Sequence, residues 1–400
     1  MRWRNWIPSF ALVCACAAIA GCGGTTTLIV RTTSTSQTPA SPATGIGFPV
    51  LATKNTTRVS GVDPISDAAG VALAVFPSAA PGTHPAVVTI APTDDWEAAI
   101  ASSVLMSSPT SAPVLLSGPG TLPVATSNAL GLLAPTGSGA LAGAQVIQVG
   151  DVPAPKGLKT KAITGNGPYA LAAAINGYAN AAAGKASSDV VIASADDPAY
   201  AMPAAGWAAE SGDPVLFVSS SGVPAPTAQA LVSDGHPHIY VLGPSSVIPD
   251  SVLAQLGAYG TVARVGAQDP AANSVAFAIY RDPPCVVDQP CAHVPGSFGW
   301  AMRSPGHGYT LLNASLPLDA AASAALSASG SYGPQLVLDS GTALPTSVLN
   351  FFLDYATPGY TQEGPTAAVY NHAWLIGDPS TISVAVQAEV DSLLEVVPQK

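Results

Sequence analysis

Charge is scarce in this 400-residue chain: Asp, Glu, Lys and Arg together make up 9% of it, where soluble domains average about 25%. Lys and Arg number 13 against 24 Asp and Glu, for a formal net charge of −11. A nucleic-acid binder needs clustered cations to displace counterions from phosphate. The longest basic run, Lys156-x-x-Lys159-x-Lys161, reads as a solvated linker, so no nucleic-acid partner is expected. Long apolar runs are missing too. The stretch Ile7 to Ala20 falls short of the roughly 18–20 residues a membrane-spanning helix needs. Five cysteines are too few for a disulfide scaffold in a chain of this size. Catalytic signatures are absent as well: there is no Gly-x-Ser-x-Gly elbow, His-Glu-x-x-His, P-loop or Gly-x-Gly-x-x-Gly, each of which ties a chemistry to a local geometry. His236-Pro-His238 has no acidic third ligand nearby in sequence and reads as a loop histidine pair. No enzyme activity, cofactor or metal site is expected. A glycosidase would need Asp94 or Asp95 and Asp196 to face each other across a sugar.

The amino terminus is informative. Arg2 and Arg4 precede the short apolar stretch, and Ile19-Ala20-Gly21-Cys22 follows it. This is the pattern of a lipoprotein signal peptide over residues 1–21, with Cys22 as the lipidated first residue of the mature chain. The plainer alternative is an ordinary secretory signal with a coincidental cysteine. Two or more acyl chains give stable membrane anchoring, so the expected location is the outer face of a bacterial cell membrane, facing the wall. Residues 22–53 are rich in Thr, Ser, Pro and Gly. Such a composition buries too little apolar surface to offset the entropy of ordering, and it predicts a flexible tether. Cys14 and Cys16 leave with the signal. Cys285 and Cys291 then remain, and in an oxidising compartment their simplest fate is a disulfide. Half a metal site with His293 is the competing reading.

The body of the chain repeats one pattern. Apolar strands run Ala-Pro-Val-Leu-Leu at 112–116, Asp-Pro-Val-Leu-Phe at 213–217 and Pro-Gln-Leu-Val-Leu at 334–338. Each leads to a proline turn at Leu122-Pro123, Val223-Pro224 or Leu344-Pro345. These prolines recur at intervals of about 100–120 residues, far longer than the 20–50 of a solenoid, so the units are duplicated α/β modules. Their borders are expected at 54–157, 158–260 and 261–400, the last carrying the cysteine pair. Each opens with a short β-prone stretch ending in proline: Asp63-Pro64, Gly167-Pro168, Asp269-Pro270. Proline suits the first helical turn because that N–H lacks a helical partner. Next come Val87-Val88-Thr89-Ile90, Val190-Val191-Ile192 and Tyr309-Thr310-Leu311-Leu312, apolar runs of the kind found in buried parallel strands. Asp94, Asp95 and Asp196 follow the first two. They suit helix caps; they also stand where open α/β sheets bind ligands, at the carboxyl ends of strands.

Together these motifs resemble the cell wall binding repeat 2 family of Gram-positive bacteria. The resemblance is carried by Arg58-Val59-Ser60-Gly61-x-Asp63, Ala193-Ser194-Ala195-Asp196, Pro113-Val114-Leu115-Leu116, Pro214-Val215-Leu216-Phe217 and Ile239-Tyr240-Val241-Leu242-Gly243. It spans about residues 54–395 in three copies. The resemblance implies three tandem Rossmann-like modules with mainly parallel sheets, packed with pseudo-threefold symmetry, in a chain that is a monomer. It also implies non-covalent binding of an anionic cell-wall polymer, with Arg58, Arg264, Asp94, Asp95 and Asp196 as candidate contacts. Arg58 and Arg264 share one repeat position and are equally suited to tying modules together. The chain departs from the family pattern at Pro64 and Pro270, at Ala162 where the arginine would stand, and in the third copy's Pro317-Leu318-Asp319. Two other classes stay open: a solute-binding lipoprotein serving a transporter, and a scaffold ectodomain that has lost polymer binding.

Overall fold

A computed structural model describes residues 51–283, 297–329, 333–360, 364 and 368–398. Three parallel α/β sheets dominate it, and each has the same strand order. In the first the order is Val114–Ser117, Val88–Pro92, Val146–Val149, Thr160–Ile163. The second runs Val215–Val218, Asp189–Ser194, His238–Leu242, Thr261–Val265. The third runs Gln335–Leu338, Gly308–Asn313, His372–Ile376, Thr56–Val59, with Leu51–Ala52 added antiparallel at the edge. The inner strands Val88–Pro92 and Asp189–Ser194 are buried along their whole length. Helices on both faces of a parallel sheet require such near-continuous apolar runs. This is the expected mixed α/β, Rossmann-like architecture.

The last strand of each sheet comes from a different repeat than the other three. Thr160–Ile163, which opens the second sequence repeat, pairs with Val146–Val149 of the first. Thr261–Val265 pairs with His238–Leu242 of the second. Thr56–Val59, from the very start of the body, pairs with His372–Ile376 near its end. The opening strand of a repeat is thus hydrogen-bonded into the preceding sheet, and the first repeat's strand completes the last sheet. From each opening strand the chain passes into a helix that begins with proline: Pro64–Val75, Pro168–Ala183 and Pro270–Ile279. Asp63 and Asp269 cap two of these, accepting the Ser66 and Ala272 N–H groups at 2.8 and 2.7 Å.

The alanine excess is used at the centre. Trp96–Ala101 continues as the turn Ser102–Met106, and this element packs with the helices Pro203–Ser211 and Leu318–Ser327 from the other two repeats. Nearly every residue of all three is buried. Small side chains let their axes approach. A Cβ on Gly206 would come within 2.6 Å of the Ser327 hydroxyl, and the Gly206 N–H instead donates to Gln335 Oε1 at 3.0 Å. Trp207 anchors one flank against Phe277, Phe298 and Trp300, and its indole N–H donates to the buried Asp213 at 2.8 Å. The proline turns start the outer helices, with Pro123, Pro224 and Pro345 at their amino caps. Thr126 and Thr227 then donate to the carbonyls of Leu116 and Phe217 at 2.5 and 2.7 Å, fixing two of these helices to their strands in the same way.

Candidate functional site

The carboxyl ends of the three sheets meet on one face. Between the first and second sheets, Tyr169 feels the charges of Asp196 and Glu97. Between the second and third, Tyr200 feels Asp197, Asp269 and Asp339. Between the third and first, Asp319 feels Asp67 and Asp63. Acidic and hydroxyl side chains therefore crowd this face, while Lys54, Lys159, Lys185 and Arg303 stand just before strands, at their amino ends.

The sequence-predicted residues separate here. Asp95 is the amino cap of Trp96–Ala101 and accepts the Ala98 N–H at 2.8 Å; burial raises its pKa, partly offset by that bond. Asp94 beside it is exposed. Asp196 is exposed and accepts the Ser220 N–H at 2.6 Å, tying two loops of the second sheet. Glu97, in the first turn of its helix, is pushed up to about 7, mainly by burial. The capping reading accounts for Asp95, while Asp94 and Asp196 face solvent at the strand ends.

Arg58 is not a surface cation. It is 0% exposed. Its Nε donates to Gln387 Oε1 at 3.0 Å, and its Nη1 to the carbonyls of Gly377 and Asp378 at 2.9 and 3.1 Å. Burial lowers its pKa, and Asp378 and Asp67 oppose that effect. Arg264 repeats the arrangement one sheet away. It donates to the carbonyls of Gly243 and Ile248 at 2.7 and 2.8 Å and to Asp250 at 2.8 Å. Both arginines thus close the loop after the neighbouring strand, and the expectation of polymer contact through Arg58 is corrected: its side chain is buried and donates to carbonyls and Gln387, whereas Arg264 shares its donors between two carbonyls and the exposed Asp250. Of the two sequence readings, tying the repeats together is the one this geometry satisfies. In the first sheet the same register position holds Ala162, opposite Gln148 rather than Leu375 or Val241. Gln148 there donates to the Val152 carbonyl at 2.7 Å. A longer polar residue on one strand replaces the arginine missing from the other.

His238 meets an acid that sequence proximity does not show: its Nδ1 lies 3.2 Å from Asp189 Oδ1. His236 contacts the Tyr259 carbonyl instead. Among the described residues no group of three or more His, Cys, Asp or Glu side chains could hold a metal ion, and no helix is long and apolar enough to cross a membrane. Cys22, Cys285, Cys291 and His293 lie outside the described residues. A groove of about 890 Å³ runs between the helices Pro168–Ala183 and Ala225–Ser233. It is lined largely by alanines, with Asn176 and Asn180 already bonded to Asp234.

Three parallel sheets of one strand order make this a repeated Rossmann-like α/β chain. The chain carries a match to Cell wall binding domain 2 (CWB2) over residues 162–253. Two solved structures from Clostridium difficile are similar in fold, each at 15% identity over 85% of this chain. Cwp6 has a TM-score of 0.63 with 48% of its own chain covered, and Cwp8 a TM-score of 0.62 with 52% covered. This chain thus spans about half the length of either. No curated protein matches it.

Proposed function

We propose that this is a cell-envelope surface protein whose α/β repeats associate non-covalently with a wall polymer, held at the membrane by lipid on Cys22. The observation that carries the reading is the CWB2 match over residues 162–253, set in a chain that builds the same sheet three times. The polymer partner is expected to be anionic. With Arg58 buried and Arg264 engaged by Gly243, Ile248 and Asp250, the cations offered to it include the exposed Lys156, Lys161 and Lys185. Contacts of that kind are exposed ion pairs, screened over about 8–10 Å at physiological salt. Co-sedimentation of the lipid-free body with purified walls tests the reading. Binding that falls with salt and is lost when anionic polymers are stripped supports it, and no sedimentation of folded protein at low salt rejects it. Cys22→Ser should release the protein from membranes; retention would remove the anchor. The acidic carboxyl-end face, with its two arginines engaged, favours one second reading, a scaffold ectodomain without polymer binding. Its mark is a folded, membrane-anchored body that ignores walls. No enzymatic activity is proposed.

A further inference from the structure

A cleft of about 480 Å³ lies at the amino ends of the strands, away from the acidic face. All three repeats supply its wall. Ser107 to Thr110, ahead of strand Val114–Ser117, come from the first. The second gives Lys185 to Asp189 and Ser211 to Asp213, which lead into strands Asp189–Ser194 and Val215–Val218. Ser297 comes from the third. Gly212 lets two of these loops meet. Its φ is +81°, and a Cβ there would come within 3.0 Å of the Ser107 hydroxyl.

The wall offers acceptors and few donors. A serine hydroxyl has one proton and two lone pairs. Ser107 commits its proton to the Val104 carbonyl at 2.8 Å, and Ser211 to the Trp207 carbonyl at 2.9 Å. Ser188 donates to Asp189. Ser187 stands between the two acids, donating to Asp213 Oδ1 at 2.7 Å and accepting the Asp189 N–H at 3.2 Å. Both carboxyl groups are buried, at 5% exposure for Asp189 and 8% for Asp213. Asp189 also meets His238. Lys185 is exposed at the rim. Ser297 is 5% exposed, and its hydroxyl has no partner. Asp319 and Trp300 carry unpartnered buried atoms too, but they line neither this cleft nor the groove beside Pro168–Ala183. A buried polar atom left unpaired is costly, and the Ser297 hydroxyl is the one that a molecule in the cleft would satisfy.

We propose that this cleft binds an amino sugar, with its ammonium toward Asp213 and Asp189 and its ring hydroxyls toward the serine oxygens and Ser297. An ammonium group has donors alone and carries the charge that two neighbouring carboxylates lack. Ring hydroxyls give protons to the serines whose own are committed, and they accept that of Ser297. Val104, Ala179 and Ala183 offer apolar surface to the carbon side of a ring. A neutral sugar would leave both charges uncompensated, and an anion would be repelled by them. Burial pushes Asp213 up to about 6, so it is mostly ionised at pH 7. The inference goes beyond the wall-polymer reading and does not depend on it, since a free monosaccharide is enough to fill the site.

The test titrates the full chain at pH 7 with glucosamine, N-acetylglucosamine and glucose, by calorimetry and by thermal midpoint. Glucosamine should bind saturably and raise the midpoint, and the two neutral sugars should bind at least tenfold more weakly. Ser297→Ala removes a hydroxyl that holds nothing in the free protein. Its midpoint without ligand should match the wild type, while its glucosamine affinity falls about tenfold. Asp213→Asn keeps the shape and removes the charge, so binding should be lost; Asp189→Asn serves the same purpose if the first variant folds poorly. The absence of saturable glucosamine binding overturns the proposal. Equal binding of glucose also overturns it, because the cleft would then read hydroxyls and not an amine. Wild-type affinity in both Ser297→Ala and the aspartate variant does so too, since the sugar would be held elsewhere.

Discussion

Replacing Arg58 by alanine tests whether this arginine is structural. The substitution leaves Gln387 Oε1 and the Gly377 and Asp378 carbonyls without the donors that now reach them at 3.0, 2.9 and 3.1 Å. It also empties the space of a fully buried side chain. Hydrogen bonds to a charged group are worth about 1.5–3 kcal/mol each, and an orphaned buried acceptor costs about 1–3. Effects that share one side chain do not add, so the net loss is expected to be about 3–5 kcal/mol, the range seen when one partner of a buried charged network is removed. Arg264→Ala removes equivalent bonds, but its side chain is 22% exposed and its acidic partner Asp250 is 80% exposed. Water replaces much of what is lost, and about 1–2 kcal/mol is expected. The assay is urea unfolding of the lipid-free body, with hydrogen exchange of Thr56–Val59 as the local readout. An Arg58→Ala loss below about 1 kcal/mol with normal exchange at that strand would refute the structural role. So would a larger loss for Arg264→Ala than for Arg58→Ala.

Three further outcomes are expected. Ala162→Arg combined with Gln148→Leu should rebuild in the first sheet the pairing found in the third, and stay within about 1 kcal/mol of wild type by urea unfolding; Gln148→Leu alone should lose about that much by orphaning the Val152 carbonyl. Asp213, pushed up to about 6 chiefly by burial, holds its proton more tightly when folded. The wild type should therefore gain on Asp213→Asn by up to about 3 kcal/mol as pH falls from above 6 to below 4, and parallel pH profiles for the two proteins would contradict this. Gly260→Ala places a Cβ 2.0 Å from the Pro237 carbonyl, so the strands entering the second sheet must part; a thermal midpoint within about 2 °C of wild type would show that the backbone yields there at little cost.

The strands and their order within a repeat were legible because a parallel strand buried on both faces must be apolar throughout, as in Val87-Val88-Thr89-Ile90 and Pro214-Val215-Leu216-Phe217. The prolines before the first helices were legible because φ and the missing N–H restrict where proline fits. The sheet that each opening strand joins was not. Thr56–Val59 has the pattern of a strand, but nothing local in it names a partner among residues 372–376. The same distance hid the function of Arg58. A lone arginine at the end of a strand has the look of a surface group, and the carbonyls that bury it belong to residues 377–383 at the other end of the chain. Asp319 reads locally as a helix-start acid; its lack of donors follows only from packing against a helix of another repeat. His238 shows the converse, since its acid comes from the start of the neighbouring strand.

The pairing of Thr56–Val59 with His372–Ile376 sets an order of assembly. Thr57 and His372 are joined at 2.9 Å across 315 residues of chain, whereas the first sheet gains its last strand through the short link from Val146–Val149 to Thr160–Ile163. Closing the longer loop costs roughly 2–3 kcal/mol more in chain entropy. The strand made first is therefore the last to find its place, and the first two sheets can finish before the third has all its strands. A chain emerging on the far side of a membrane would carry Thr56–Val59 unpaired until its final segment arrived. The third sheet is the last to become whole, and it waits on the two ends of the body meeting.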